Sequence, residues 1–413
     1  MGIHNFAIDL IEESGVAANW DGSNGFTDGE QLLGTPPEKD LGFPYVSVFG
    51  SAIDAQMWAY SWHAYLVSKK TYAPYIDRGK PAPTHNEWAN YLKWAAHQCN
   101  ANILQFRADS LDIANEGNIE VAVTENRQRK NLYYHGVVLT GPGEPLRIHD
   151  SKHPWTEHII DGRTFWKRLP VFDGLTNARI AIIGGGETAA AIVVALLRHS
   201  PTCSIDLINR HGTVYTRGES FHENRLYTSP ATWCQLDEID KEDFIRRTDR
   251  GVFSVAAKHA IDRAEKVSVL TGNVIDLQPH GRCVTLRLKR LSRELSYTYD
   301  YVIVAIGFDF ASLLELLPAH VRPVEHIRSI RRHVDYHLRI ALRITSPGDQ
   351  ALPPPTVCNI HYPAVAMLSQ GPGFANLSCL GTLSDRILSA YLPDEKKNEW
   401  LCHSEELRQQ QEA

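Results

Sequence analysis

The chain has 413 residues, 43% of them apolar, enough to fill more than one hydrophobic core, so two or three packed lobes are expected. A net charge of -6 with acidic and basic residues interspersed leaves no basic stripe of the kind that neutralises a phosphate backbone, which argues against nucleic acid as a partner. Seven cysteines at 99, 203, 234, 283, 358, 379 and 402 form no C-x-x-C pair and no metal-ligand spacing. No apolar run approaches the ~20 residues that cross a bilayer, and the N-terminus has no basic region followed by an apolar one. A cytoplasmic protein with reduced thiols, no bound metal and no membrane contact is the reading.

In chain order, Phe6 to Ile11 predicts a strand, followed by a turn-rich stretch from Asn19 to Pro44 of the length and composition that functional loops carry. Within it Lys39 lies among Gly34, Pro36, Pro37, Gly42 and Pro44. It is either a solvated lysine or an ammonium held at a pocket floor to pair with a carboxylate. Helical patterns follow around Ile53 to Ser68 and over Thr84 to Gln98, the second opening on Thr84 as N-cap. Strands return at Glu120 to Val123 and Val137 to Thr140.

The strand Arg179 to Ile183 then runs through Gly184-Gly185-Gly186 into an apolar helix and out to a second strand, Ser204 to Ile208. In Gly184-x-Gly186-x-x-Ala189 the first glycine allows the tight turn and the second admits a pyrophosphate to the backbone. The alanine lets helix and strand pack closely, and Glu187 and Thr188 open the helix toward the phosphates. Where an NAD-specific unit carries an acid for the ribose, this chain has Asn209-Arg210, with Arg217 nearby and Asp206 misplaced in mid-strand. Two arginines suit a 2'-phosphate, so NADPH is preferred to NADH.

Residues 214–262 are helix-prone, Val267 to Ile306 is strand-rich, and the tail after Asp394 is charged. His333 and His337 are spaced for a helix face but have no third ligand, and a metal site is rejected. Gln370 to Ser378 is a glycine-rich approach to the helix beginning near Leu383 and Ser384, open to a flavin or substrate anion or simply a helix start.

Taken together and in order, several segments resemble the lysine/ornithine N-monooxygenase family, the flavin-dependent amine N-hydroxylases of siderophore synthesis, and most of all its mycobactin-pathway lysine N6-hydroxylase branch. They are Ala18-Asn19-Trp20, Thr27-Asp28-Gly29, Leu33-Gly34-Thr35, Pro37 to Asp40, Gly42 to Tyr45, Tyr60-Ser61-Trp62, Ile76 to Gly79, Pro81 to His85, Gly184 to Ala190, Thr216 to Glu219, Thr248 to Ser254, Ser369 to Phe374 and Asn376 to Ser384. The resemblance implies an α/β fold with two Rossmann-like domains. An FAD domain would span 1–150 and 300–393, an NADPH domain 151–213 and 263–299, a small helical substrate-binding segment 214–262, and a polar tail 394–413. Relatives open with a strand and a G-x-G turn for the FAD pyrophosphate, whereas this chain begins about where their second strand begins. That first strand and glycine loop are therefore expected to be missing, with Glu12 matching the acid for the FAD ribose.

By the same resemblance, NADPH reduces FAD and oxygen activated at flavin C4a passes to the substrate amine, with O2 and L-lysine as co-substrates. Lys39 would hold the substrate carboxylate, and Asn224, Asp249 and Ser384 would line the amino-acid site. Glu12, Trp20, Gly34, Asn376 and Leu383 would contact FAD; Gly184, Gly186, Glu187, Thr188, Ala189, Arg210 and Arg217 would contact NADPH. Asp249 stands where ornithine-using relatives carry asparagine, which favours lysine over ornithine, a diamine or histamine. A homo-oligomer, dimer or tetramer, is expected. The alternatives are a flavin-deficient remnant that binds NADPH or an amine without catalysis, and a disulfide reductase, which the lack of C-x-x-C disfavours.

Overall fold

The computed structural model describes residues 6–392 apart from 24, 115–116, 126, 149–154, 326–328 and 346–352; the polar tail at 394–413 lies outside the described residues. The dinucleotide half is built on a five-stranded parallel sheet in the order Val267–Thr271, Ser204–Asn209, Arg179–Ile183, Tyr301–Val304, Ile159–Asp161. Ile180, Ala181 and Ile182 are wholly buried because both faces are covered, as a parallel sheet requires. Glu187–His199, Phe165 and Phe172 pack on one face. A three-stranded antiparallel sheet, Asn273–His280, Cys283–Arg290 and Arg293–Tyr299, closes the other. Tyr301–Val304 pairs on both sides inside this sheet, so the boundary expected at residue 300 moves beyond Val304.

The other half joins three sheets over one core of Leu111, Ile119, Val123, Ile340, Ile360 and Tyr362 among others. Asp9–Ile11 pairs parallel with Asn102–Leu104, and the strand is shorter than the run from Phe6 predicted. Arg107–Ile113, Ile119–Glu125 and Gln128–Tyr134 form an antiparallel meander. Val321–Pro323, Arg339–Ile344, Thr356–His361 and Val137–Val138 form the third sheet. The helix His85–Gln98 begins at Thr84 as expected: the Thr84 hydroxyl accepts from the Glu87 N–H, and the Glu87 carboxylate accepts the Thr84 N–H, a reciprocal cap. That helix holds the long loop, since His85 N–H bonds Gln31 O at 2.7 Å and Leu33 N–H bonds Pro83 O at 2.8 Å.

Residues 214–262 fold as the helices Phe221–Thr228, Pro230–Cys234, Glu238–Thr248 and Val255–Asp262, with Tyr215–Thr216 paired to Val252–Phe253. Buried Trp233 donates its indole N–H to Leu368 O at 3.0 Å, which fixes the segment to this second half, while Val255–Asp262 packs along Glu187–His199. The two halves are strapped together by Glu144–Pro145 paired antiparallel with Phe308–Asp309, and by Phe26, whose ring meets Phe308 edge-on at 5.6 Å. An Arg198–Asp28 ion pair adds to this. Among the described residues no group of three or more His, Cys, Asp or Glu could hold a metal, and no helix is long and apolar enough to cross a membrane.

Candidate functional site

The loop around Lys39 is held from below by Asp40. This carboxylate is 2% exposed and accepts the Tyr45 hydroxyl at 2.6 Å, the Trp62 N–H at 2.8 Å and the Gly42 N–H at 3.3 Å. With its neighbour anchored, Lys39 is directed inward, 9% exposed, and donates to Asn224 Oδ1 at 2.9 Å. The orientation of Asn224 is set by its own donors, because its Nδ2 bonds Glu219 O at 2.9 Å and Ser220 O at 3.2 Å, leaving the oxygen for the lysine. The Lys39 ammonium lies 6.0 Å from the ring centres of Phe43 and Tyr227. Burial and the nearby Arg217 push its pKa down to about 8, against the smaller pull of Glu219 and Cys379. A buried cation whose hydrogen-bond partner is a neutral amide is a ready receptor for a carboxylate.

Asp249 follows the helix Glu238–Thr248, whose last residue, Thr248, accepts the Tyr227 hydroxyl at 2.9 Å. The Asp249 carboxylate accepts from Asn376 Nδ2 at 3.0 Å and pairs with Arg250 Nε at 3.0 Å. A residue expected at the amino-acid site and one expected at the flavin site are thus in direct contact. Ser384 is exposed, and its hydroxyl turns back to Leu380 O at 3.0 Å; Leu383 on the same helix packs against the core. Glu12, just past the first strand, accepts the Ser14 N–H at 2.9 Å, and Trp20 packs edge-on to His85. Beside Gly34, Gln31 Nε2 and Thr35 Oγ1 are buried with no hydrogen-bond partner. Buried polar atoms are normally satisfied, so this stretch fits a polar heterocycle such as a flavin bound against it.

At the glycine turn, Gly184 has φ +150°, and a Cβ there would stand 2.2 Å from Ala305 O; only glycine lets the turn approach the neighbouring strand. Gly186 caps the next helix with no side-chain hydrogen bond, leaving the N–H groups of Glu187 and Thr188 for an anion, while the Ala189 N–H already bonds Gly186 O at 2.9 Å and Ala189 is fully buried. Thr188 packs under Gly162. Asn209 is 5% exposed, and its Oδ1 has no partner beside the turn, an orphan that a nucleotide hydroxyl would satisfy. Asp206 is engaged elsewhere, by the Tyr299 hydroxyl at 2.9 Å. Arg210 follows at the strand end and is exposed. The turn therefore fits a dinucleotide.

Two expected nucleotide contacts are placed differently from a simple phosphate cradle. Glu187 receives both the N–H and the hydroxyl of Ser254, the latter at 2.8 Å, and so docks the start of Val255–Asp262. Arg217 Nη1 donates to Gly34 O at 3.2 Å, and its guanidinium carbon lies 5.4 Å from the Tyr227 ring centre. Asp40, Tyr227 and Ser254 were given no role by sequence reasoning, although Asp40 and Ser254 fall in segments that carry the family resemblance. Only Ser254, an N-cap residue before a helical run, left a recognisable signal.

Two halves built on sheets, one carrying an intact dinucleotide turn and the other joined to a pocket with a buried lysine, have the architecture of oxidoreductases that use two dinucleotides. Residues 51–310 match the family model of L-lysine 6-monooxygenase/L-ornithine 5-monooxygenase. The chain is 36% identical over 400 residues to the L-lysine N6-monooxygenase MbtG of Mycobacterium sp. (strain MCS), covering 95% of this chain and 90% of that protein. It is 35% identical over 412 residues to the protein of that name from Mycobacterium tuberculosis (strain ATCC 25618 / H37Rv), covering 94% and 89%. The solved structure of the lysine monooxygenase NbtG from Nocardia farcinica superposes with a TM-score of 0.73 at 32% identity, over 92% and 91% of the two chains. An ornithine N-hydroxylase from Kutzneria sp. 744 shares the fold, with a TM-score of 0.71 at 15% identity over 92% and 97%. The chain belongs to the L-lysine 6-monooxygenase/L-ornithine 5-monooxygenase family.

Proposed function

We propose that the protein is an NADPH- and FAD-dependent N6-hydroxylase of free L-lysine, working in siderophore assembly. The observation that carries the reading is the buried Lys39 ammonium, bonded to the neutral amide of Asn224 and so available to a substrate carboxylate. The relatives at 35–36% identity, each named an L-lysine N6-monooxygenase, support lysine as the amino acid. When bound, FAD supplies oxygen activation and NADPH the two electrons, so that NADPH, H⁺, O2 and R-NH2 give NADP⁺, H2O and R-NHOH.

In this reading Lys39 fixes the carboxylate, and Asn224 and Asp249 line the amino-acid site. Glu12, Trp20, Gly34 and Asn376 line the flavin site, and Gly184, Gly186, Thr188, Ala189 and Arg210 receive the nucleotide. The chain divides into a flavin domain of 1–150 with the residues after Val304, a nucleotide domain, and the segment 214–262 that carries the amino-acid site. The free cysteines at 99, 203, 234, 283, 358 and 379 agree with a cytoplasmic location, and the family resemblance with a homo-oligomer.

The purified protein, with FAD added, is expected to show a saturable flavin band in its visible spectrum and to form N6-hydroxylysine in preference to the products of ornithine, putrescine or histamine. Lys39→Ala is expected to raise KM for L-lysine roughly 10- to 100-fold, the loss of one charge-assisted hydrogen bond, with little change for the matching diamine that lacks a carboxylate. Equal effects on the two substrates refute the role given to Lys39.

A further inference from the structure

Arg217 stands between the dinucleotide turn and the lysine pocket and touches the neighbours of both. Its main-chain N–H bonds Phe253 O at 2.8 Å, one residue before Ser254, and Ser254 gives its N–H and hydroxyl to Glu187 in the first turn of the dinucleotide helix. Its side chain reaches the other way, to Gly34 O and to the face of Tyr227, the ring that the Lys39 ammonium also approaches. Gly34 in turn lies against Ser254, its Cβ position 3.9 Å from that of the serine. The path from turn to pocket is thus continuous in contacts, a physical basis for coupling.

Charge follows the same path. The charged and titratable groups facing Lys39 are Arg217, Glu219 and Cys379, and those facing Arg217 are Lys39, Glu187 and Tyr227. Arg217 therefore weighs against the Lys39 ammonium, and negative charge arriving at the turn offsets part of that repulsion.

We propose that Arg217 is a positioning residue that couples the amino-acid pocket at Lys39 to the dinucleotide turn at Glu187, so that a nicotinamide nucleotide and an amino-acid carboxylate each tighten the binding of the other. The inference rests on the reading of the two sites given above. Binding linkage makes the effect reciprocal. It also depends on pH in a defined direction: below about pH 8 the Lys39 ammonium is already formed and a nucleotide adds little, whereas above it the nucleotide restores the charge the carboxylate needs.

The test is calorimetric titration of the FAD-supplemented protein with L-lysine, with and without saturating NADP⁺, at pH 7 and pH 9, in the wild type, Arg217→Gln and Arg217→Lys. NADP⁺ is expected to lower the wild-type Kd for L-lysine about fivefold or more at pH 9 and less than about twofold at pH 7. The ratio should fall to about one in Arg217→Gln while each ligand still binds, and be partly kept in Arg217→Lys, which retains the charge but not the planar stack. Identical wild-type Kd values with and without NADP⁺, or an undiminished ratio in Arg217→Gln, overturn the coupling and leave the substrate reading standing. Failure of the wild type to bind L-lysine under any of these conditions overturns both.

Discussion

Lys39 and a lysine substrate both lose a proton as pH rises but with opposite consequences for the proposed reaction, and that opposition sets a pH window. A free lysine side chain loses its proton near 10.4 and must do so before its nitrogen can attack, while the Lys39 ammonium, which in the proposed role holds the carboxylate, is lost above about 8. The profile of kcat/KM for L-lysine is therefore expected to flatten or fall between these two values, and the profile for the corresponding diamine to keep rising; matching profiles refute this. A second buried group works through stability. Asp385 is 7% exposed and accepts the Ser47 hydroxyl and the Val48 N–H, yet burial, with Asp54 adding to it, raises its pKa from 3.8 to about 6. Between those values the folded chain holds more protons than the unfolded one, so stability falls as pH rises through the window. Asp385→Asn is expected to stabilise the protein at pH 8 and to lose much of that advantage at pH 5, as read by denaturant melts. Of these residues, Lys39 was legible from a glycine- and proline-shaped loop and a family resemblance. Arg217 was legible as a nucleotide-side arginine, but its contacts with Gly34 and Tyr227 were not, nor was the anchoring role of Asp40, because Tyr45, Trp62 and Tyr227 are partners that only the tertiary fold brings close.

At the scale of elements, the glycine turn separates two demands that one motif makes together. Gly184→Ala sets a Cβ against the backbone of Ala305 and is expected to destabilise by about 1–3 kcal/mol or more. In Gly186→Ala the new Cβ would sit 3.6 Å from Gly251 N, an ordinary contact, so the protein should fold normally and lose NADP⁺ affinity because the pyrophosphate can no longer approach. Thermal melts and NADP⁺ titrations of both variants check this; a Gly186→Ala protein with unchanged Kd removes the pyrophosphate from this turn. Thr84→Ala is expected to cost about 1 kcal/mol through the lost reciprocal cap. The strand Arg179–Ile183, its helix and the Thr84 start could be read from periodicity and cap chemistry, which are local. The partners of Tyr301–Val304 could not. An apolar run ending in glycine suits either parallel sheet, and only the packing of Val302 and Val304 in the nucleotide-half core decides between them.

Across the whole molecule, the loop that carries Lys39 also reaches the nucleotide half through Phe26 and Asp28. Phe26→Ala is expected to divide thermal unfolding by calorimetry into two transitions where the wild type gives one cooperative event; a single transition in the variant shows that the halves are held together by other contacts. The strap made by Glu144–Pro145 and Phe308–Asp309 sets two of the chain's crossings between the halves side by side and hydrogen-bonded, and the segment 214–262 reaches across separately through Trp233 and Leu368. The nucleotide half is thus tied to the other at three places, the ribbon, the Phe26 and Arg198–Asp28 contacts, and the segment 214–262, so any rigid-body shift of that half has to release contacts at each of them.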